Sequence, residues 1–256
     1  MFVKEGSIGL RNIDSLKLKA VAWHLLASLV LSCIVAGWMV LNWFPAPFTV
    51  AAGAVMGLII VISVDMCLGP VLTMLLIHSK KSVRENLFDG AIIALLQVSA
   101  LLYGLWQINL ARPAAVVFWQ DSFYFVKTAD FIERYGKVPD LSEFSDDSVP
   151  VIYARYPLLL DELQKLELSM QAGQIPYEQT SLYLKLQNGL AEIKKSPVNI
   201  NILLEKYPQL QRQLDQLGNQ DAQREFIFSR LRSEYGNYLI VLGAQAQLVG
   251  LLKLPM

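Results

Sequence analysis

From Ala20 to Ser79 the chain carries one formal charge, Asp65. Sixty residues with a single charge cannot cover themselves with an aqueous surface, because ordinary globular domains are about a quarter charged. Such a stretch must cross a bilayer. A second stretch, Gly90–Ala111, holds no charge at all. Ala20–Leu41 as a helix would be about 33 Å long, enough to span a hydrocarbon core. Phe48–Ile77 is too long for one straight crossing and contains Gly69-Pro70, where proline removes a helix hydrogen bond and invites a kink or break. Dividing that stretch into two crossings would leave pieces of roughly 15 and 10 residues, below the usual minimum of about 17. Three transmembrane helices are therefore expected, at about residues 20–42, 48–77 and 90–111. The first apolar run exceeds the 7–15 residues typical of a signal-peptide core, and Trp38, Trp43 and Phe44 follow it where polar mature sequence would stand. It reads as an uncleaved anchor.

Charge fixes the orientation. Lys4, Arg11, Lys17 and Lys19 precede the first span, and Lys80, Lys81 and Arg84 lie between the second and third, whereas the loop around Pro45-Ala46-Pro47 has no base. The positive-inside rule then places the N-terminus and the 78–89 loop in the cytoplasm, and three crossings put residues 113–256 on the far side, the periplasm of a bacterium. The chain totals 22 bases and 22 acids, a balance that excludes the basic excess of a nucleic-acid binder. The balance divides at Arg112: residues 1–112 hold eight bases and five acids, and residues 113–256 hold fourteen and seventeen. The expected fold class is thus a membrane-anchored α+β protein, with a membrane domain over 1–112 and a small extracytoplasmic α+β domain over 113–256.

Polar residues inside the spans are the candidate functional positions. His24, Ser28 and Ser32 recur every four residues and form one stripe on the first helix. Asp65 stands near the middle of the second stretch, and Gln97 and Tyr103 in the third. A carboxylate in a bilayer is costly, so it is paired, protonated or turned to a polar interior. One reading makes these residues, with membrane lipid around them, a contact site for a partner helix. The other has them hydrogen-bond among themselves and lock the bundle. Gly37, Gly53 and Gly57 could permit close approach of a partner.

In the second half, Ala114–Trp119 and Phe123–Thr128 read as a hairpin, followed by a loop over 135–150 with the solvated acidic run Glu143–Asp147. Helices are expected at Leu158–Gln171, Tyr177–Lys195, in a segment after Pro197 broken near Pro208, and at Asp221–Tyr235. Tyr238–Leu242 and Leu248–Leu254 read as a closing hairpin, although the same run could be an apolar helix; at about 15 residues it is too short for a fourth crossing.

Chemistry-bearing motifs are missing. Both histidines, His24 and His78, and both cysteines, Cys33 and Cys67, belong to the membrane half. A disulfide framework, a Cys or His nucleophile and a zinc site are thereby excluded from residues 113–256. There is no phosphate-binding glycine loop, dinucleotide fingerprint or Asp-x-Asp pair, so no enzyme activity and no cofactor or metal are expected.

Lys19-Ala20 with His24-Leu25 and Ser28, then Val64-Asp65-x-x-Leu68-Gly69-Pro70-x-Leu72-Thr73, resemble the TfpX/TfpZ type IV pilin accessory proteins. So do Asp89, Gln97, Tyr103-Gly104 and the junction Arg112-Pro113 leading into Val116-Val117-Phe118. The similarity is sharpest over residues 19–128. It implies an inner-membrane, chaperone-like factor that stabilises a type IV pilin before pilus assembly, and it brings no catalytic residues. The major pilin is the implied partner, its transmembrane helix meeting His24, Ser28, Asp65, Gly69, Pro70, Thr73, Gln97 and Tyr103 and its head meeting the periplasmic domain. The competing expectation is a structural or sensory subunit of another envelope complex, with no pilin client; a pilin-modifying enzyme is a third.

Overall fold

The computed structural model describes residues 15–78, 80–195, 197–218 and 225–255. Its contacts divide the chain into two compact units: one takes the described residues up to Gly37 with Leu58–Trp106, the other Trp38–Gly57 with the described residues from Gln107 on.

Three helices dominate the first half: α1 (Ser15–Asn42), α2 (Ala54–Leu76) and α3 (Val83–Ala111). Each is long and apolar enough to cross a membrane. Two expectations are corrected here. α2 begins at Ala54, not at Phe48, because Phe48 and Ala51 are buried in the core of the strand-bearing unit. The turn that holds them is tied by Thr49 Oγ1 donating to the Phe44 carbonyl at 2.7 Å. Gly53, expected on a helix, closes that turn at φ +84°, and a Cβ there would lie 2.2 Å from the Tyr235 ring. Gly69-Pro70 does not break α2, which runs through it, as apolar surroundings permit when neighbouring groups serve the freed backbone. A capping box starts α3: Ser82 Oγ accepts from the Glu85 N–H at 3.3 Å, and the Glu85 carboxylate accepts from the Ser82 N–H at 2.7 Å.

The second half builds a seven-stranded mixed sheet, β1 (Pro113–Trp119), β2 (Ser122–Lys127), β3 (Val151–Ala154), β4 (Tyr183–Lys185), β5 (Ile227–Ser233), β6 (Gly236–Leu242) and β7 (Leu248–Lys253), in the order β4-β3-β1-β2-β5-β6-β7. The expected first hairpin is β1–β2, antiparallel with Trp119 opposite Ser122. The expected closing hairpin is β6–β7, with Leu239 opposite Leu252. The β1–β3 and β2–β5 pairs are parallel. α4 (Thr128–Tyr135), α5 (Leu160–Gln171), α6 (Leu190–Ile193), α7 (Ile200–Lys206) and α8 (Leu210–Leu217) complete the unit. α4 ends where Gly136, at φ +72°, turns its N–H back to the Ile132 carbonyl at 2.8 Å, a conformation that favours glycine.

Two helical expectations fail. Tyr177–Lys195 is not one helix but short 3₁₀ turns around β4, ending in α6. Strand pairing of Ile152 with Lys185 and of Ala154 with Tyr183 wins there, and Gly189 passes so close to Tyr153 that a Cβ would lie 2.3 Å from its ring. The region 221–235 contains strand β5; its first four residues lie outside the described ones. Arg230-Leu231-Arg232 alternates with period two, exposed-buried-exposed, which is the strand signal.

Alternate residues face two cores. Val116, Phe118, Phe123, Leu231, Tyr238, Ile240 and Leu242 share one core with Leu186, next to β4, and Ala246, next to β7. Those are the opposite edges of the sheet, so the sheet must curl for their side chains to meet. On the other face, Val117, Val126 and Ile152 pack beneath Phe131 of α4 and Leu166 of α5, while Phe228, Leu239 and Val241 pack beneath Leu214 of α8.

Candidate functional site

The helical unit buries a row of small and polar residues. Ser28, Ser32, Gly69 and Thr73 are buried there, whereas Trp23, Leu26, Ile34, Ile60, Val71 and Leu95 are exposed. Lipid is as apolar as leucine, so side-chain hydrophobicity cannot draw such helices together; close packing of small residues and hydrogen bonds does.

On α1 the polar stripe is His24-Ser28-Ser32; on α2 Asp65, Gly69 and Thr73 recur at the same four-residue interval and form the facing stripe. Thr73 Oγ1 and His24 Nδ1 are hydrogen-bonded at 3.2 Å. From α3, Gln97 Nε2 donates to Asp65 Oδ1 at 2.8 Å. Gly69 sits at the centre: a Cβ on it would lie 2.2 Å from His24 Nε2 and 2.3 Å from Gln97 Nε2. Three helices thus converge on one glycine, with an imidazole and an amide pressed against it. Gly104 repeats the close approach between α3 and α2, where a Cβ would lie 2.9 Å from Val61.

Of the expected site residues, His24, Asp65, Gly69, Thr73 and Gln97 come together. Ser28 and Ser32 are buried on the same α1 stripe. Pro70 is half-buried in the following position of α2. Tyr103 lies apart, exposed, its ring 5.9 Å from that of Trp106. Arg112 and Pro113 belong to the other unit: Arg112 Nε donates to Thr128 Oγ1 at 3.2 Å, its carbonyl accepts from the Thr128 N–H at 2.9 Å, and Pro113 is buried at the start of β1.

Asp65 is half-buried, and only Oδ1 is engaged; among the described residues Oδ2 accepts no hydrogen bond. The cluster is therefore partly a lock and partly an open acceptor. Among the described residues no further acid or imidazole continues it. Among the described residues no three His, Cys, Asp or Glu side chains are grouped as a metal would need.

Sequence reasoning passed over the cap of α2. Lys17 Nζ donates to the Met74 carbonyl at 3.1 Å, and Lys81 Nζ to the Leu76 carbonyl at 2.9 Å. These bases, read as orientation signals, also satisfy orphan carbonyls at the negative end of the helix dipole. Asn86 closes the loop before α3, accepting from the His78 N–H at 3.0 Å and donating to its carbonyl at 2.9 Å. A lysine one turn beyond an apolar helix was the available signal.

Fold and site together define a membrane-anchored α+β protein with an intramembrane polar seam. No protein-family model matches the chain, and no solved structure does. It is 35% identical over 109 residues to the fimbrial assembly protein of serogroups C1 and C2 of Dichelobacter nodosus, covering 43% of this chain and 83% of the relative. The serogroup E1 and serogroup I fimbrial assembly proteins of the same organism are 33% and 32% identical over 123 residues, 47% of this chain. The match spans about half the length of these two longer relatives, 48% in each. The chain belongs to the family of fimbrial assembly proteins.

Proposed function

We propose that the protein is a non-enzymatic accessory factor of type IV fimbrial biogenesis, of the TfpX/TfpZ kind, that holds the major pilin in the inner membrane until it is assembled. In this reading the open face of the polar seam receives the pilin's transmembrane helix and the α+β unit receives its head in the periplasm. The observation that carries it is Asp65: a carboxylate inside an apolar span, half-buried, with one oxygen held by Gln97 and the other open. Such a group is retained at a cost that a partner's donor would offset. The relatives' names support the fimbrial setting. The shared core of Phe48 and Ala51 with the strands supports a single side for the first interhelical loop and the α+β unit, as three crossings require.

Removing the protein from a piliated host should lower steady-state pilin and surface pili, and re-expression should restore both. Unchanged pilin and pili would transfer support to the reading in which the seam binds fixed subunits of another envelope complex. A periplasmic reporter inserted near Asn188 should be active; cytoplasmic activity there would overturn the topology.

A further inference from the structure

The outer face of the curled sheet is covered in two places, by α4 and α5 over one half and by α7 and α8 over the other. Between the covers β5 changes character: Phe228 lies under α8, and the next two residues on that face are Arg230 and Arg232, both exposed. Two residues apart on one strand, their Cα atoms are about 6.7 Å apart and their side chains point the same way. Among the described residues neither forms an ion pair; Arg232 Nε is steered only by Ser122 Oγ, at 3.4 Å. Lys127, by contrast, is already neutralised by Glu234 at 2.9 Å.

These arginines line a cavity of about 630 Å³. One wall is Tyr124 stacked on Tyr177, ring centroids 4.3 Å apart and nearly parallel. The other is Val198 and Leu203, held against β5 by the Val198 N–H donating to the Phe228 carbonyl at 2.9 Å. Ala111 and Pro113, the last residue of α3 and the first of β1, also line it. If α3 is a span, Ala111 is its end, the depth where phospholipid headgroups lie.

We propose that this cavity binds the phosphodiester headgroup of an anionic phospholipid, Arg230 and Arg232 gripping the phosphate and the tyrosine stack lining the glycerol. Guanidinium pairs suit a phosphate's oxygens, and tyrosine suits the interface between tail and water. The cavity has the size of a small-molecule site, which favours a headgroup over an acidic peptide. The inference rests on α3 as a span and not on a pilin client, so it can fail while the proposed function stands, and the reverse.

The test is native mass spectrometry of the full-length protein in a non-ionic detergent, titrated with dihexanoyl phosphatidylglycerol, dihexanoyl phosphatidylcholine and inorganic phosphate. Phosphatidylglycerol should bind one to one and in preference to phosphatidylcholine. It should bind about tenfold or more weakly in the Arg230→Gln/Arg232→Gln variant, and as in wild type in Arg212→Gln, an exposed arginine outside the cavity. Equal affinity for inorganic phosphate would assign the site to soluble phosphate and overturn the lipid source. Displacement of the lipid by an equimolar oligoglutamate peptide would overturn it in favour of a protein partner, and lipid binding unchanged in the double variant would remove the site. Should that variant not fold, phenylglyoxal labelling of the wild type decides: phosphatidylglycerol should shield Arg230 and Arg232 but not Arg212, and equal labelling with and without lipid contradicts the proposal.

Discussion

The two units of this protein differ in what they bury. In the helical unit Ser28, Ser32, Gly69 and Thr73 are buried together with Ile93, His24 and the Asp65–Gln97 pair are half-buried, and tryptophan, leucine and isoleucine make up much of the outside. In the strand-bearing unit Phe118, Phe123, Phe131 and Ile240 are inside, and arginine and glutamate are outside. The same physical rule gives both results. In water the gain comes from removing apolar area; in lipid that gain vanishes, and what remains is close contact and hydrogen bonds that hydrocarbon cannot supply. The difference also separates how the two respond to substitution: the strand unit should be sensitive to lost volume, the helical unit to added volume.

The largest expected effect tests the first half of that contrast. Phe48→Ala truncates a ring buried in the strand unit's core and set edge-on to Phe125 at 5.8 Å, and should destabilise that unit by about 3–5 kcal/mol. Thermal unfolding of the full chain in detergent, followed by near-UV circular dichroism, would show it. A shift confined to the helical unit's transition would instead assign Phe48 to the span.

Gly69→Leu tests the second half. The added side chain has to displace His24 and Gln97, and overpacking of that kind costs about 1–3 kcal/mol. Gly69→Ala should cost less, because the atoms in the way are the ends of side chains. A neutral Gly69→Leu in a detergent melting series would mean that the helices do not meet there.

Smaller still is Gln97→Leu, which removes one interhelical hydrogen bond; such bonds in membranes average about 0.6 kcal/mol. The double-mutant cycle with Asp65→Leu should give a coupling of that size, and zero coupling would break the pairing.

The smallest effect is at the outer surface. The Arg155 guanidinium, bonded at 2.7 and 2.8 Å to both Glu162 oxygens, holds that carboxyl below its ordinary value of 4.5. A carboxyl depressed in the folded state contributes stability above that ordinary value and loses it as pH falls through the folded value. Glu178 has the opposite sign: burial raises it despite Arg134, so its contribution weakens as pH rises above 4.5. Melting temperature measured from pH 6 to pH 3 should fall slightly less in Glu162→Gln than in wild type; an identical fall would show that the half-exposed pair contributes nothing.

The three spans were legible from charge alone, since a bilayer leaves its mark in every residue of a helix that crosses it. The α1 stripe and Asp65 were legible for the same reason. That Gly69 is the point of convergence was not, because three helices with one glycine between them is a property of packing, invisible in any one helix. In the α+β unit the hairpins β1–β2 and β6–β7 are legible, whereas the segment of β5 reads as helix. At its start Phe226, Ile227 and Phe228 are consecutive apolar residues serving two cores, which hides the period of two that Arg230-Leu231-Arg232 displays. β6 raised the helix–strand ambiguity for a related reason: both its faces are buried, so its apolar run is unbroken. The place of Phe48 is hidden because an apolar residue beside a span looks the same whether it continues the helix or fills a core outside it.

The central claim is that the seam at Asp65 is a surface for the pilin helix. A photo-crosslinking residue in place of Leu68, an exposed position one turn from Asp65, would test it in piliated cells. The account predicts a single major adduct with the major pilin, which weakens when Asp65 is replaced by leucine. Adducts with other envelope proteins alone, or a pilin adduct indifferent to Asp65, would contradict it.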